Sequence, residues 1–502
     1  MRIHPVVSLG LLTLGLALSG CSRPDAPSDF QWRFAGTTAL KAQTNAPVLA
    51  EALRVPQANA ALGPLAARLA ETWWQLGTGG KPLSSQDLAA GIALIPDLLS
   101  SESTGEFHTQ ATGGMEFVVA IHGVLNDGGA WEKQWAAWVQ AMHAARGGGG
   151  APGTARLDGW LVAVSDSSQT TPQKAWKALA ARKAAPGALA EFEVKYPGQV
   201  ALQAAMTCRE GAARWTATAR LAQPVTAIPA WELPGAIGEP IVFFTGIRSV
   251  PSLLQSLPWA RSFAGKIVPK QVFAWGQPGL PDWGHTYFAA LMDAPVAAVT
   301  ELNRRFAPLF PPSESPRFRG LLHFDETIPR ITISASVPVV PSFEAQKQGD
   351  RGYLTFGFLP AFRPTNSLAP EMLAQLNRTN LVYYDWEFTA AAAQHWHLLG
   401  QIEDLMEGRH AVTSTPATQW LLAVAPKAGE TVTEGLLVDS KTIALRRKAP
   451  VGLSGLELAA LARWIDPPPP MRRVLPSSTN AAGSKAVAPA ARTNAPAAKK
   501  KP

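Results

Sequence analysis

Residues 380–401 read NLVYYDWEFTAAAAQHWHLLGQ, and the point where this stretch changes its period decides how the chain is built. Over Leu381–Phe388 the residues are aromatic, β-branched or acidic, and in a strand Tyr383, Asp385 and Glu387 share one face while Val382, Tyr384 and Trp386 share the other. Four alanines follow, Ala390 to Ala393, and then Trp396, Leu399, Ile402 and Met406 recur at helical spacing. The spacing predicts a strand running into a helix, with Thr389 as the cap. The same window holds His395 and His397, but residues two apart on a helix point roughly 200° from each other and cannot share one metal ion. Paired acids on one strand face need a second element before they can do acid/base work. Tyr383, Asp385 and Glu387 are therefore expected at the surface, in water or at the lip of a groove.

Working outward, the same unit recurs. TNAPVLAEAL (44–53), RSVPSLLQSL (248–257) and MDAPVAAVTEL (292–302) each place a small polar residue two positions before a proline. Asn45, Ser249 and Asp293 are expected caps, and Pro47, Pro251 and Pro295 sit where a missing N–H costs nothing. Strands precede two of them, PIVFFTG and HTYFAALM. GQVALQAAMTC and ARWTATARLA flank a short REGA connection and read as a hairpin, while RGLLHFD, RITISASV and GYLTFGFL alternate apolar with polar residues. One wet and one packed face is the mark of an antiparallel sheet covered on one side. The expected fold is α+β: two lobes of mainly antiparallel sheet with helices packed on one face, spanning 32–235 and 236–466. The Pro/Gly-rich stretch AIPAWELPGAIGEP (227–240) suggests the boundary.

The first residues, MRIHPVVSLGLLTLGLALSGC, place Arg2 before an apolar run too short to span a bilayer comfortably. The run closes on Leu18-Ser19-Gly20-Cys21, which resembles a bacterial lipobox. That resemblance implies a signal peptide over 1–21, removed before Cys21, and lipid on the Cys21 thiol as a membrane anchor. A linker over 22–31 follows. Ser22 directly after the cysteine resembles the signal for sorting to an outer membrane, which places the protein at its periplasmic face in the cell envelope.

The formal charge of +8 is carried at the ends. Arg2 contributes one charge, and Arg472, Arg473, Lys485, Arg492, Lys499, Lys500 and Lys501 stand in a tail that holds no acid. The body is about neutral, so no basic field marks a nucleic-acid binder. The Pro/Ala/Lys-rich tail, 467–502, is expected to be disordered. Cys208 is the second of only two cysteines, so neither a disulfide nor a Cys/His metal centre is expected, and no cofactor either. Cys208 shares a strand face with Leu202, Ala204 and Met206.

At the level of EPIVFFTGIRSVPSLLQSLPW and NLVYYDWEFTAAAAQHW, the chain resembles uncharacterised bacterial envelope lipoproteins with repeated strand–helix units, a domain of unknown function. The likeness covers about a third of the chain and implies an envelope location and a repeated α+β build; it brings no activity.

The enzyme alternative starts at EFVVAIHGVLNDGGAW (116–131), where His122-Gly123 after an apolar strand looks like the oxyanion turn of an α/β-hydrolase. That fold needs a Gly-x-Ser-x-Gly elbow, and the nearest stretch, VGLSGLEL, has Leu456 at the second glycine; Ser454 and Glu457 read as a capping box instead. The GGGG run at 147–150 lacks the residues of a phosphate loop. Seventeen tryptophans against five tyrosines is a marked bias, and Trp131, Trp135 and Trp138 form one stripe of a helix, expected in the core rather than on a sugar-binding surface. The sequence thus points to a lipid-anchored envelope protein with a non-enzymatic binding or structural role. Its partner is the membrane through Cys21 and, beyond that, an envelope protein, lipid or glycan. His122 marks the alternative of a divergent hydrolase.

Overall fold

The computed structural model describes residues 29–109, 115–123, 129–195, 201–256, 268–279, 285–307, 321–334, 341–359, 364–406 and 414–467. Cys21, the rest of the signal region and the basic tail beyond 467 lie outside the described residues.

The first half of the chain opens with β1 (Asp29–Phe34) and four helices, α1 (Gly36–Lys41), α2 (Pro47–Ala52), α3 (Pro56–Thr78) and α4 (Ser85–Ser100). There follow β2 (Ser103–Thr109), β3 (Met115–His122), α5 (Ala130–Arg146), β4 (Gly153–Leu157), β5 (Trp160–Val164) and α6 (Pro172–Ala180). The meander β6 (Ala190–Lys195), β7 (Ala201–Arg209) and β8 (Ala212–Arg220) closes this half.

The second half runs β9 (Phe243–Arg248), α7 (Val250–Ser256), β10 (Gln271–Gly276), β11 (Thr286–Leu291) and α8 (Pro295–Phe306). Next come β12 (Leu321–Asp325), β13 (Arg330–Ser334), β14 (Ser342–Gln348), β15 (Arg351–Gly357) and α9 (Pro370–Leu376). It ends with β16 (Leu381–Phe388), α10 (Thr389–Met406), α11 (Pro416–Val424), β17 (Glu430–Asp439), β18 (Thr442–Ala449) and α12 (Gly455–Ile465).

All described strands join one antiparallel sheet of 18. The pairings run β4-β5-β3-β2-β1-β6-β7-β8 and continue directly into β18-β17-β16-β9-β10-β11-β15-β14-β13-β12. The two lobes expected from the sequence are therefore not there. β8 and β18, each the last strand of its half, pair from Ala213 against Ala449 to Arg220 against Thr442 and make the halves one sheet. Helices also cross the join, since α3 of the first half packs on α11 and α12 of the second.

Helices lie on both faces of the sheet, not on one. Phe117, Val119 and Ile121 of β3 bury against α3, α4 and α5, while Val118 and Ala120 bury against Ala175 and Leu179 of α6. That is why β3 and β5 read as unbroken apolar runs rather than alternating ones. The Trp131–Trp135–Trp138 stripe of α5 is in the core, with all three rings almost wholly buried.

The halves share a strand order. Counted outward from the join, β8-β7-β6-β1-β2-β3-β5 in the first matches β18-β17-β16-β9-β10-β11-β15 in the second, strand for strand in chain sequence. Each of the two hairpins flanking the join turns through two residues, Glu210-Gly211 and Ser440-Lys441. By register, the row Trp32–Phe192–Ala204–Ala217 of the first half corresponds to Thr245–Asp385–Thr433–Arg447 of the second. In the first row Gly105 lies beside Trp32, whose indole occupies the space a Cβ there would need.

Several caps differ from the sequence expectation. Pro47 and Pro295 do open α2 and α8, but Asn45 and Asp293 do not cap them: Ala46 and Ala294 hold those positions without a side-chain bond, and Asp293 pairs with Lys270. Ser249 adopts a left-handed φ of 57° and its hydroxyl donates to Ala227 O. Ser454 and Glu457 do form the capping box of α12. The glycine run after α5 begins with Gly147 in the left-handed conformation, closing the helix through Gly147 and Gly148 N–H bonds to Ala144 and His143.

Candidate functional site

Asp385 and Glu387 are not at the surface. They retain 7% and 2% of their accessibility and Tyr383 is buried beside them, because β16 is an inner strand paired on both sides and covered by α10 and α12. Thr389, expected as a cap, bonds its hydroxyl to that of Thr431 on the neighbouring strand at 2.7 Å. Asp385 accepts from Thr245 Oγ1 at 2.7 Å, and Glu387 Oε1 accepts from Gly455 N–H at 2.6 Å. Gly455 can deliver that N–H because α12 begins against the backbone of Ala392 and Ala393, where any Cβ would collide.

Arg447 supplies the positive charge. Its Nη1 donates to Glu457 Oε2 and its Nε to Thr433 Oγ1 at 2.9 Å, with both ionic groups buried. Ser454 N–H also donates to Glu457 Oε2 at 2.9 Å, while Oε1 of Glu457 has no hydrogen-bond partner among the described residues. Three buried carboxyl groups thus lie in the field of one guanidinium, which is ion-paired to Glu457. Burial holds the Asp385 carboxyl above the usual range, against the pull of the Thr245 bond. Burial raises Glu387 as well, and the Asp385 charge adds to it, against the Gly455 N–H. Uptake of a proton relieves the excess of negative charge. The cluster sits between sheet and helices, so a substrate has no approach, and its chemistry is that of a buried, proton-holding network inside the fold.

The histidines of the opening stretch do not meet. His395 is buried and bonds to Thr286 Oγ1 at 3.2 Å, whereas His397 bonds to Gln401 one turn on. No group of three or more metal-ligating side chains forms among the described residues. His122 is exposed at the end of β3, its ring 4.9 Å from that of Trp160. With every described pairing antiparallel, the parallel strand–turn–helix frame of an α/β-hydrolase is missing around it.

An accessible concavity lies on the opposite face, in the first half. It is an open trough of about 780 Å³. Its floor carries the outward side chains of four strands, among them Gln31, Glu193, Gln203, Thr216 and Thr218. One wall is α6 with the chain just after it, including Trp176, Arg182 and Lys183. Trp176 meets Trp160 at a ring distance of 5.2 Å, and its Nε1 donates to Asp158 Oδ2 at 3.0 Å, which fixes the indole.

Beyond the floor, Glu106 bonds to Arg182 and to His108, and His108 Nδ1 stands 2.7 Å from Asp29. The Glu106 bond, with that to Asp29, raises His108 to about 9 against the effect of burial, so it is charged at neutral pH. Most of these residues escaped the reading of the sequence. The signal was present as polar residues at every second position of EFEVK and WTAT, but wet sheet faces produce the same alternation.

Comparison of the chain with protein-family models, with curated proteins and with solved structures finds no match.

Proposed function

We propose that this is a lipid-anchored protein of the bacterial cell envelope, held through Cys21 at the periplasmic face of the outer membrane, that binds an envelope component without chemical conversion. The observation that carries the binding role is the trough: a concave surface of mixed polar and apolar lining on the sheet, with a hydrogen-bonded tryptophan on its wall and a volume in the range of ligand sites. The lipobox-like ending at Cys21 supports the anchor, and no described helix is long and apolar enough to cross a membrane. The buried acids support no catalytic reading, because solvent and substrate cannot reach them.

The anchor is tested by metabolic palmitate labelling of the wild type and Cys21→Ala. Label confined to the wild type supports the reading, and equal labelling refutes it. The binding role is tested by a photo-crosslinking residue at Gln203 in intact cells: a discrete adduct absent when the same residue replaces Lys347, exposed on β14, is expected. No adduct at either position contradicts it.

A further inference from the structure

We infer that the trough takes an oligosaccharide with neutral, hydroxyl-rich rings; this deepens the binding role proposed above and rests on it. Three features of the trough choose this chemistry.

The first is the wall. Trp160 and Trp176 are both half-buried, so each ring is held by the protein while part of it remains open to a ligand. An indole face is a large, rigid apolar surface ordered at little entropic cost, and it suits the C–H face of a sugar ring. The Asp158 bond removes one more degree of freedom from Trp176.

The second is the floor. Gln31, Gln203, Thr216 and Thr218 offer amide and hydroxyl groups, which both donate and accept, as sugar hydroxyls do. Most charged residues around them are paired within the protein, Arg33 with Glu102, Arg182 with Glu106 and Lys195 with Glu193, and Lys183 is the one lining cation with no ion pair among the described residues. No field of one sign remains to select a phosphate, a polyanion or a basic peptide.

The third is what the floor lacks. β1, β6, β7 and β8 are each paired on both sides, so no free backbone edge is available for a peptide to join as a strand. The matching face of the second half shows how differently a closed version is built. There Phe244, Tyr384 and Trp386 stand where the first half has Gln31, Glu191 and Glu193, and α9 with Trp231 and Ile237 covers them. Packing alone does not demand a polar open face at this place in the fold.

The test uses the full lipidated protein in detergent micelles on an array of neutral and acidic oligosaccharides, with dissociation constants then measured by calorimetry for the neutral N-acetylglucosamine tetramer and any array hit. Saturable binding of at least one neutral member is expected. Trp176→Ala should weaken it at least tenfold, and Lys347→Ala should leave it unchanged. Because Trp176 also packs on the sheet, Gln203→Ala is the second variant: exposed on β7, it should lose about threefold or more while the circular dichroism spectrum is retained. No saturable binding to any neutral member, or equal affinity in both trough variants, overturns the inference. If the arrays are blank but the Gln203 crosslinker still captures an envelope protein, the oligosaccharide assignment fails and the binding role stands. If both are blank, both fail.

Discussion

Phe192 and Asp385 occupy matching places in the two halves of one sheet, and their surroundings are opposite in kind. Around Phe192 the neighbouring positions hold Trp32, Ala204 and Ala217, and three helices close an apolar core over them. Around Asp385 they hold Thr245, Thr433 and Arg447, and the covering helix α12 brings Glu457, Ser454 and a backbone N–H. The other face is inverted. It is polar and open beneath the trough in the first half, and aromatic and covered by α9 in the second. A strand order and register therefore do not dictate which face is dry; the residue set does, provided each face is internally consistent. Burying charge is tolerated only where every member of the row changes with it, since a lone buried charge is far more costly than a satisfied network.

The largest expected effect comes from moving one residue of the charged row into the apolar one. Phe192→Asp places a carboxylate among tryptophans and phenylalanines with no partner, and we expect no folded protein, judged by loss of near-ultraviolet circular dichroism. Recovery of wild-type stability would mean that the first half accepts charge as readily as the second.

Next in size is the loss of the one cation from the charged row. Arg447→Met leaves three carboxyl groups without a counter-charge and should cost about 3–5 kcal/mol in urea denaturation. The double variant with Glu457→Leu should recover much of that loss. A double variant as unstable as the single would show that the pair is not the element that compensates the row.

A smaller effect, with a definite sign, concerns protons. The folded protein holds the Glu387 proton more tightly than the unfolded chain does. The stability from this group is therefore fully present below the ordinary glutamate range and is lost as pH rises through its raised value. Glu387→Gln, which keeps the acceptor for Gly455 N–H, should gain on the wild type as pH rises. Denaturation midpoints of the two proteins at pH 5 and pH 8 check this, and parallel pH dependence would break the comparison.

Smallest of all, Thr216→Val on the trough floor should shift stability by no more than about 0.5 kcal/mol, because its side chain is exposed and packs on nothing the fold requires. A larger loss would make the polar floor a structural element rather than a free surface.

About half of the strands and helices were legible in the sequence, because period and proline placement are local signals: Leu381–Phe388, the β7–β8 hairpin and the helix opened by Ser454 all form as their residues direct. The join was not legible. It depends on the β8 edge meeting the β18 edge, and no pattern in ARWTATARLA names its neighbour in a second half more than two hundred residues on. The same blindness misplaced Asp385 and Glu387. An acidic strand face reads as wet unless one also knows that Arg447 and Glu457 arrive from elsewhere to meet it. The trough was hidden for the converse reason, since polar alternation on β6, β7 and β8 is what any solvated sheet shows.

The inversion of chemistry between the halves is tested most directly by isotope-edited infrared spectroscopy of the carboxyl stretch, comparing wild type with Glu387→Gln at about pH 6. With the isotope label on glutamate, the wild type should show a protonated glutamate band that is absent from the variant. Identical spectra, with every glutamate ionised, would contradict the account of a buried row that compensates its charge by holding a proton.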